Sequence, residues 1–190
     1  MTSWFPRLYA IVNYIFGTHY EEDLIVCDEV PGLGSFESER YMGRWFSIWH
    51  AKDMPFQSDD DRCVTALYSN LDGIGFDVYN SYENDSFSGR SGINGTGKCF
   101  EQDPNGQCHV SFWFWNFWTG NPGYKIVDTD YESYTMVYNC DEDGMAYLWF
   151  MARTPEVSAD WENMMFDKAR IALPNFDFDN LVKDYQGGKC

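Results

Sequence analysis

From Gly43 onward, turn residues cut the chain into short runs at regular intervals, and this rhythm constrains the fold more than any other feature. Strand-like segments are read at 43–52, 63–70, 75–83, 93–101, 107–117, 123–128, 133–140 and 145–153. Between them stand Asp72-Gly73, Asp103-Pro104-Asn105-Gly106, Asn121-Pro122-Gly123 and Asp143-Gly144, all of which favour tight reversals. Short strands with short turns argue for an up-and-down antiparallel barrel or a sandwich. After Pro155 the period changes. Ser158 is placed to cap a helical run through Ala172, with Trp161, Met164, Met165 and Ala169 on one face, and Pro174 stops it. A length of 190 residues is enough for one domain with a real core.

Aromatic residues make up 19% of the chain, and tryptophan alone occurs 8 times. That is more indole than a core of this size needs, so part of it is expected to line a cavity or an interface. The formal net charge of −17 repels a phosphate backbone and an anionic membrane surface; nucleic acid is not an expected partner, and the acidity is read as a solubility feature. None of the 6 cysteines sits in C-x-x-C spacing and the 3 histidines are scattered, so no metal site is expected. Their even number points instead to disulfides and an oxidising compartment. Cys99 and Cys108 flank the turn at 103–106 and are expected to bridge it. Sequons at Asn84-Asp85-Ser86 and Asn94-Gly95-Thr96 agree with secretion. Residues 1–26 carry an apolar stretch from Leu8 to Gly17 that is too short to span a bilayer. The segment reads either as a weak signal peptide or as a helical extension with Leu8, Ile11, Val12, Ile15 and Phe16 on one face. Residues 27–190 form the domain proper.

Three short segments carry a family resemblance. Tyr41-Met42-Gly43-Arg44-Trp45-Phe46 places a Gly-x-Trp at the entry to the first strand, Asp128-Thr129-Asp130-Tyr131 follows the sixth, and the last strand finishes on Arg153. In this order and spacing they resemble the three signature regions of the lipocalins. The stretches 62–68 and 124–140 further resemble the apolipoprotein D-like and crustacyanin-like branch; the similarity runs from about Cys27 to Cys190 and is weakest over 84–110. The resemblance implies an all-β fold with one C-terminal helix, an eight-stranded up-and-down antiparallel barrel. It implies a secreted protein carrying an apolar small molecule in the barrel. Gly43, Trp45 and Arg153 would form the barrel floor, with the guanidinium stacked on the indole. Family pairing implies disulfides Cys27–Cys140 and Cys63–Cys190 beside Cys99–Cys108. In this branch an asparagine on the third strand and a tryptophan on the last line the cavity; Asn80 and Trp149 hold the matching places, and Tyr68 fits a lining position on the second strand.

Strand alternation puts Trp45, Ser47 and Trp49 on one face, which assigns Trp49 to the cavity. The fifth strand is aromatic on both faces. Counting back without gaps from Thr129-Asp130-Tyr131 turns Trp113 and Trp115 inward and Phe112 and Phe114 outward. The outer pair then needs a cover, either the N-terminal segment or a second subunit in a homo- or heterodimer. The expected ligand is a carotenoid-like pigment, or otherwise a retinoid, bilin, sterol or fatty acid. Trp49, Trp113, Trp115 and Trp149 would bury it, and Tyr68 and Asn80 would orient its polar end. No cofactor is required. Lipocalin enzymes use a free cavity cysteine (a prostaglandin isomerase) or a cavity acid (the xanthophyll de-epoxidases). Here every cysteine is assigned to a bridge, and the acids of Ser58-Asp59-Asp60-Asp61 read as loop residues. Asp77 lies on the face of Tyr79, away from Asn80. An enzyme is therefore not expected; a structural subunit with a filled barrel is the remaining alternative.

Overall fold

The computed structural model describes residues 27–30, 33–54, 57–84, 89–99, 106–112, 123–141, 144–188 and 190. The N-terminal segment 1–26 and the aromatic residues Trp113, Phe114 and Trp115 lie outside them. Strands β1 (Gly43–Ala51), β2 (Arg62–Asp72), β3 (Gly75–Glu83), β4 (Arg90–Cys99), β5 (Gln107–Phe112), β6 (Tyr124–Thr129), β7 (Tyr134–Cys140) and β8 (Ala146–Ala152) run antiparallel, each beside the next. β8 returns to β1, and β1 pairs with β2 from Gly43↔Tyr68 to Phe46↔Thr65, which closes the barrel.

Closure is complete only in the lower half. Above Phe46 the strands β1 and β2 part, and the C-terminal segment fills the gap. A ninth strand, β9 (Leu181–Lys183), pairs with β1 from Trp49↔Lys183 to Ala51↔Leu181. Beyond it the Asp184 N–H donates to the Ile48 carbonyl and the Cys63 N–H to the Tyr185 carbonyl, both at 2.9 Å. Gln186 then bridges the two strands, its Nε2 donating to the Ser47 and Val64 carbonyls at 2.8 Å each. Backbone groups left by the parting strands must find partners, and this strap supplies them. The Cys63–Cys190 disulfide pins it, while Cys27–Cys140 ties the segment before the first strand to β7 and Cys99–Cys108 joins β4 to β5.

The C-terminal helix, Ala159–Ala172, starts where the Ser158 hydroxyl accepts from the Trp161 N–H at 3.2 Å. Asp160 and Glu162 in its first turn and Arg170 in its last suit the helix dipole. It buries Met165 and Ala169 against the outer face of β7 and β8, among Met136, Tyr138, Leu148 and Phe150. A second core fills the inside of the barrel with Trp45, Tyr68, Phe76, Val78, Ile126, Val137 and Met151. The same sheet is thus buried on both faces beside the helix, which is why β7 and β8 read as continuous apolar runs.

Candidate functional site

The floor is built from the signature segments. Trp45 is fully buried, with its Nε1–H donating to the Tyr41 carbonyl at 3.0 Å. The Arg153 guanidinium lies 3.6 Å from the indole centroid and donates to the carbonyls of Tyr131 and Arg44 and, through Nη2, of Arg40 and Tyr41. Burial lowers its pKa, against the opposing pull of Tyr41 and Asp130. Gly43 has φ +97°, a conformation that favours glycine, and a Cβ there would stand a tight 3.2 Å from Arg153 Nη1. The carbonyls of Arg40 and Tyr41 are presented by a short helix, Ser38–Tyr41, that the sequence reading did not foresee.

The turn at 128–131 holds the other side. Asp130 Oδ1 accepts from the N–H groups of Glu132, Ser133 and Tyr134 at 2.7–3.0 Å, and Oδ2 accepts from the Ser133 hydroxyl. Burial opposes the charge on Asp130, yet these hydrogen bonds together hold its carboxyl below the usual carboxylate range. They fix Tyr131 at φ +68°, which aims its carbonyl at Arg153 Nε, 3.1 Å away.

Above the floor, four hydroxyls form a chain across the barrel. Tyr68 meets Tyr124 at 2.8 Å, Tyr124 meets Tyr41 at 2.7 Å, and Tyr41 meets Thr135 at 3.2 Å. Burial pushes the Tyr41 phenol up to about 12 and raises Tyr68 and Tyr124 as well, so all three stay protonated.

Higher still, accessibility changes. Inward residues of the lower barrel are sealed: Trp45, Tyr68, Val78, Ile126, Val137 and Met151 are all buried. Inward residues nearer the other end are only half-buried, among them Asn80, Ser91, Ile93, Phe112 and Trp149. Among the described residues the inner wall is thus sealed low in the barrel and partly accessible higher up. Two glycines of β4 accommodate rings: Gly95 faces the Phe112 ring and, lower down, Gly97 the buried Phe76 ring, and a Cβ at either would collide with it. The Asn80 Oδ1 is buried with no hydrogen-bond partner among the described residues. At the mouth, Gln57 links wall to strap: it accepts from Trp149 Nε1 at 3.3 Å and donates to Asp184 Oδ1 at 3.1 Å. His50, fully buried, has Nδ1 3.1 Å from Asp184 Oδ1 and Nε2 3.5 Å from Asp59 Oδ1.

Tyr68, Asn80 and Trp149 therefore share the inner face, as the sequence led us to expect. Trp49 does not. A bulge between Ser47 and Trp49 in the pairing with β8 reverses the alternation, so Trp49 stands outside, donating to Glu162 of the helix at 3.1 Å and packing edge-to-face on Phe166. His50 takes the inward place, opposite Trp149. Phe112 is also corrected. It pairs with Gly95 and packs with Val110 and Tyr124 on the inner cluster. A register shift between Ile126 and Asp128 in β6 defeats a count made without gaps. The faces of Trp113, Phe114 and Trp115 lie outside the described residues, as does any cover over them. The polar strap and His50 were missed: β9 is three residues long, too short for a periodic signal.

The profile of the Lipocalin-like domain matches residues 36–186. The chain belongs to that family. It is 30% identical over 160 residues to the outer membrane lipoprotein Blc of Citrobacter freundii, covering 84% of each chain. It is 28% identical to apolipoprotein D of Macaca fascicularis, over 82% of this chain and 80% of that one. Among solved structures, insecticyanin of the tobacco hornworm Manduca sexta superposes with TM-score 0.71 at 17% identity, covering 86% of this chain and 88% of that one. Lobster apocrustacyanin A1 does so with TM-score 0.68 at 18% identity, covering 87% and 91%. Those identities speak for the fold, an eight-stranded lipocalin barrel with one C-terminal helix.

Proposed function

We propose that this lipocalin carries an apolar small molecule in the upper part of its barrel, a carotenoid-like pigment or another flat or long lipid such as a retinoid. The observation that carries the reading is the change along the inner wall, from a sealed floor to half-buried residues around Asn80, Phe112 and Trp149. Apolar surface laid against those rings is removed from water at roughly 25 cal/mol per Å², before the costs of ordering. The Asn80 Oδ1, without a hydrogen-bond partner among the described residues, offers an acceptor to a ligand hydroxyl. With all six cysteines in disulfides, an oxidising, extracytoplasmic setting fits the chain. No thiol remains for nucleophilic chemistry, and Asp77 points outward to Asn70, so binding rather than catalysis suits the site.

Titration of tryptophan emission with retinol, canthaxanthin and a long-chain fatty acid tests the reading. At least one should quench strongly, because Trp149 lines the wall, and the quenching should fall in Trp149→Phe. Unchanged emission with all three would leave a filled, structural barrel in its place.

A further inference from the structure

We infer that the deepest polar point of the barrel is a docking site for a neutral carbonyl oxygen, with the Tyr124 hydroxyl as its donor; this rests on the carrier reading above and narrows the ligand class. The argument is a count of protons. Thr135, Tyr41, Tyr124 and Tyr68 form an unbranched chain with contacts of 3.2, 2.7 and 2.8 Å. Each hydroxyl carries one proton, and each contact uses one. Four hydroxyls joined by three contacts leave one O–H without an acceptor inside the chain.

Burial decides where that proton sits. Tyr41 is 1% exposed, Tyr68 3% and Thr135 0%, whereas Tyr124 is only half-buried. A donor left unpaired in a sealed place is costly, so the favoured arrangement puts it on the accessible member. Tyr68 then donates to Tyr124, Thr135 to Tyr41, and Tyr41 to Tyr124. Tyr124 accepts from two hydroxyls and turns its own proton to the barrel interior, beside Val110 and Phe112. Accepting twice polarises its O–H and strengthens it as a donor.

Charge decides what it binds. The phenols stay neutral, and Arg153 lies against the Trp45 ring with all three nitrogens on backbone carbonyls. A carboxylate placed at Tyr124 would be desolvated with no free cation to meet it among the described inner-wall residues. A ketone, aldehyde or ester carbonyl takes the proton without that cost, and its apolar remainder extends toward Asn80 and Trp149.

The test compares two carotenoids that differ only in ring ketones, canthaxanthin and β-carotene. The natural protein should favour canthaxanthin by about tenfold, the size of one hydrogen bond. Tyr124→Phe should erase the preference while leaving β-carotene affinity unchanged. Independently of any variant, the carbonyl stretch of canthaxanthin bound to the natural protein should move to lower wavenumber than in hexane. Equal affinities in the natural protein, or a preference that survives in Tyr124→Phe with an unshifted carbonyl stretch, would overturn the inference while sparing the carrier reading. If neither carotenoid binds, the inference falls, and the retinol and fatty-acid titrations decide whether the carrier reading falls with it.

Discussion

The floor and the mouth of this barrel are built from similar materials and finished differently. At the floor, Arg153, Trp45 and Asp130 are each matched to backbone partners set by short local segments. At the mouth, Ser47, Asp184 and Gln186 are all buried, yet each keeps a side-chain atom without a hydrogen-bond partner among the described residues. Buried polar groups are normally paired, because leaving them bare is costly. The contrast separates an end whose clasp is matched bond for bond from an end that keeps unmatched polar atoms among the described residues.

The sharpest way to break that comparison is at Arg153. Arg153→Ala removes a stacked cation and its hydrogen bonds to the carbonyls of Arg40, Arg44 and Tyr131, leaving the Tyr41 carbonyl with Trp45 Nε1–H. We expect a loss of about 3 kcal/mol in stability, read as a lower urea midpoint. Affinity for retinol or canthaxanthin should barely move. Next in size is Gln186→Ala, which leaves the Ser47 and Val64 carbonyls bare where β1 and β2 part. Here we expect about 2 kcal/mol, with faster amide exchange confined to the upper halves of those strands. Global exchange instead would mean that the strap belongs to the same cooperative unit as the floor. Trp149→Ala should show the opposite balance, costing about 1 kcal/mol in stability at a half-buried position and about tenfold in ligand affinity. A large stability loss with intact affinity would move Trp149 from the binding wall into the structural core.

The same division governs what could be read from the sequence. The floor was legible because its requirements are local: a glycine two residues before Trp45, an arginine directly after β8, and an aspartate that caps its own turn. Strand existence was legible from turn chemistry and alternation, and the helix from Ser158 and Pro174. The mouth was not. Alternation fixes a face only until the first bulge, and single register shifts at Ile48 and near Val127 moved Trp49 out and Phe112 in. Nor does any periodicity mark Gln186 or His50, whose roles exist only because the C-terminal segment, 130 and more residues downstream of β1, comes back to fill a gap.

The smallest expected effect tests the floor through pH. The Asp130 carboxyl titrates below its usual range because the folded turn offers it hydrogen bonds from Ser133, Tyr134 and Glu132 that the unfolded chain lacks. A group depressed in this way stabilises the fold above its unfolded value, about 3.9, and the contribution is lost as pH falls through the lower folded value. Asp130→Asn should therefore lower the melting temperature at pH 7, and the gap from the natural protein should shrink as pH falls below about 4. Tyr131 is held at positive φ by that turn and supplies the carbonyl under Arg153, so the variant should also weaken the stack on Trp45. Combining Asp130→Asn with Arg153→Ala should then cost less than the two single losses added together, because both act on one contact. Full additivity would show that the turn and the clasp stand independently, and that the floor is two structures rather than one.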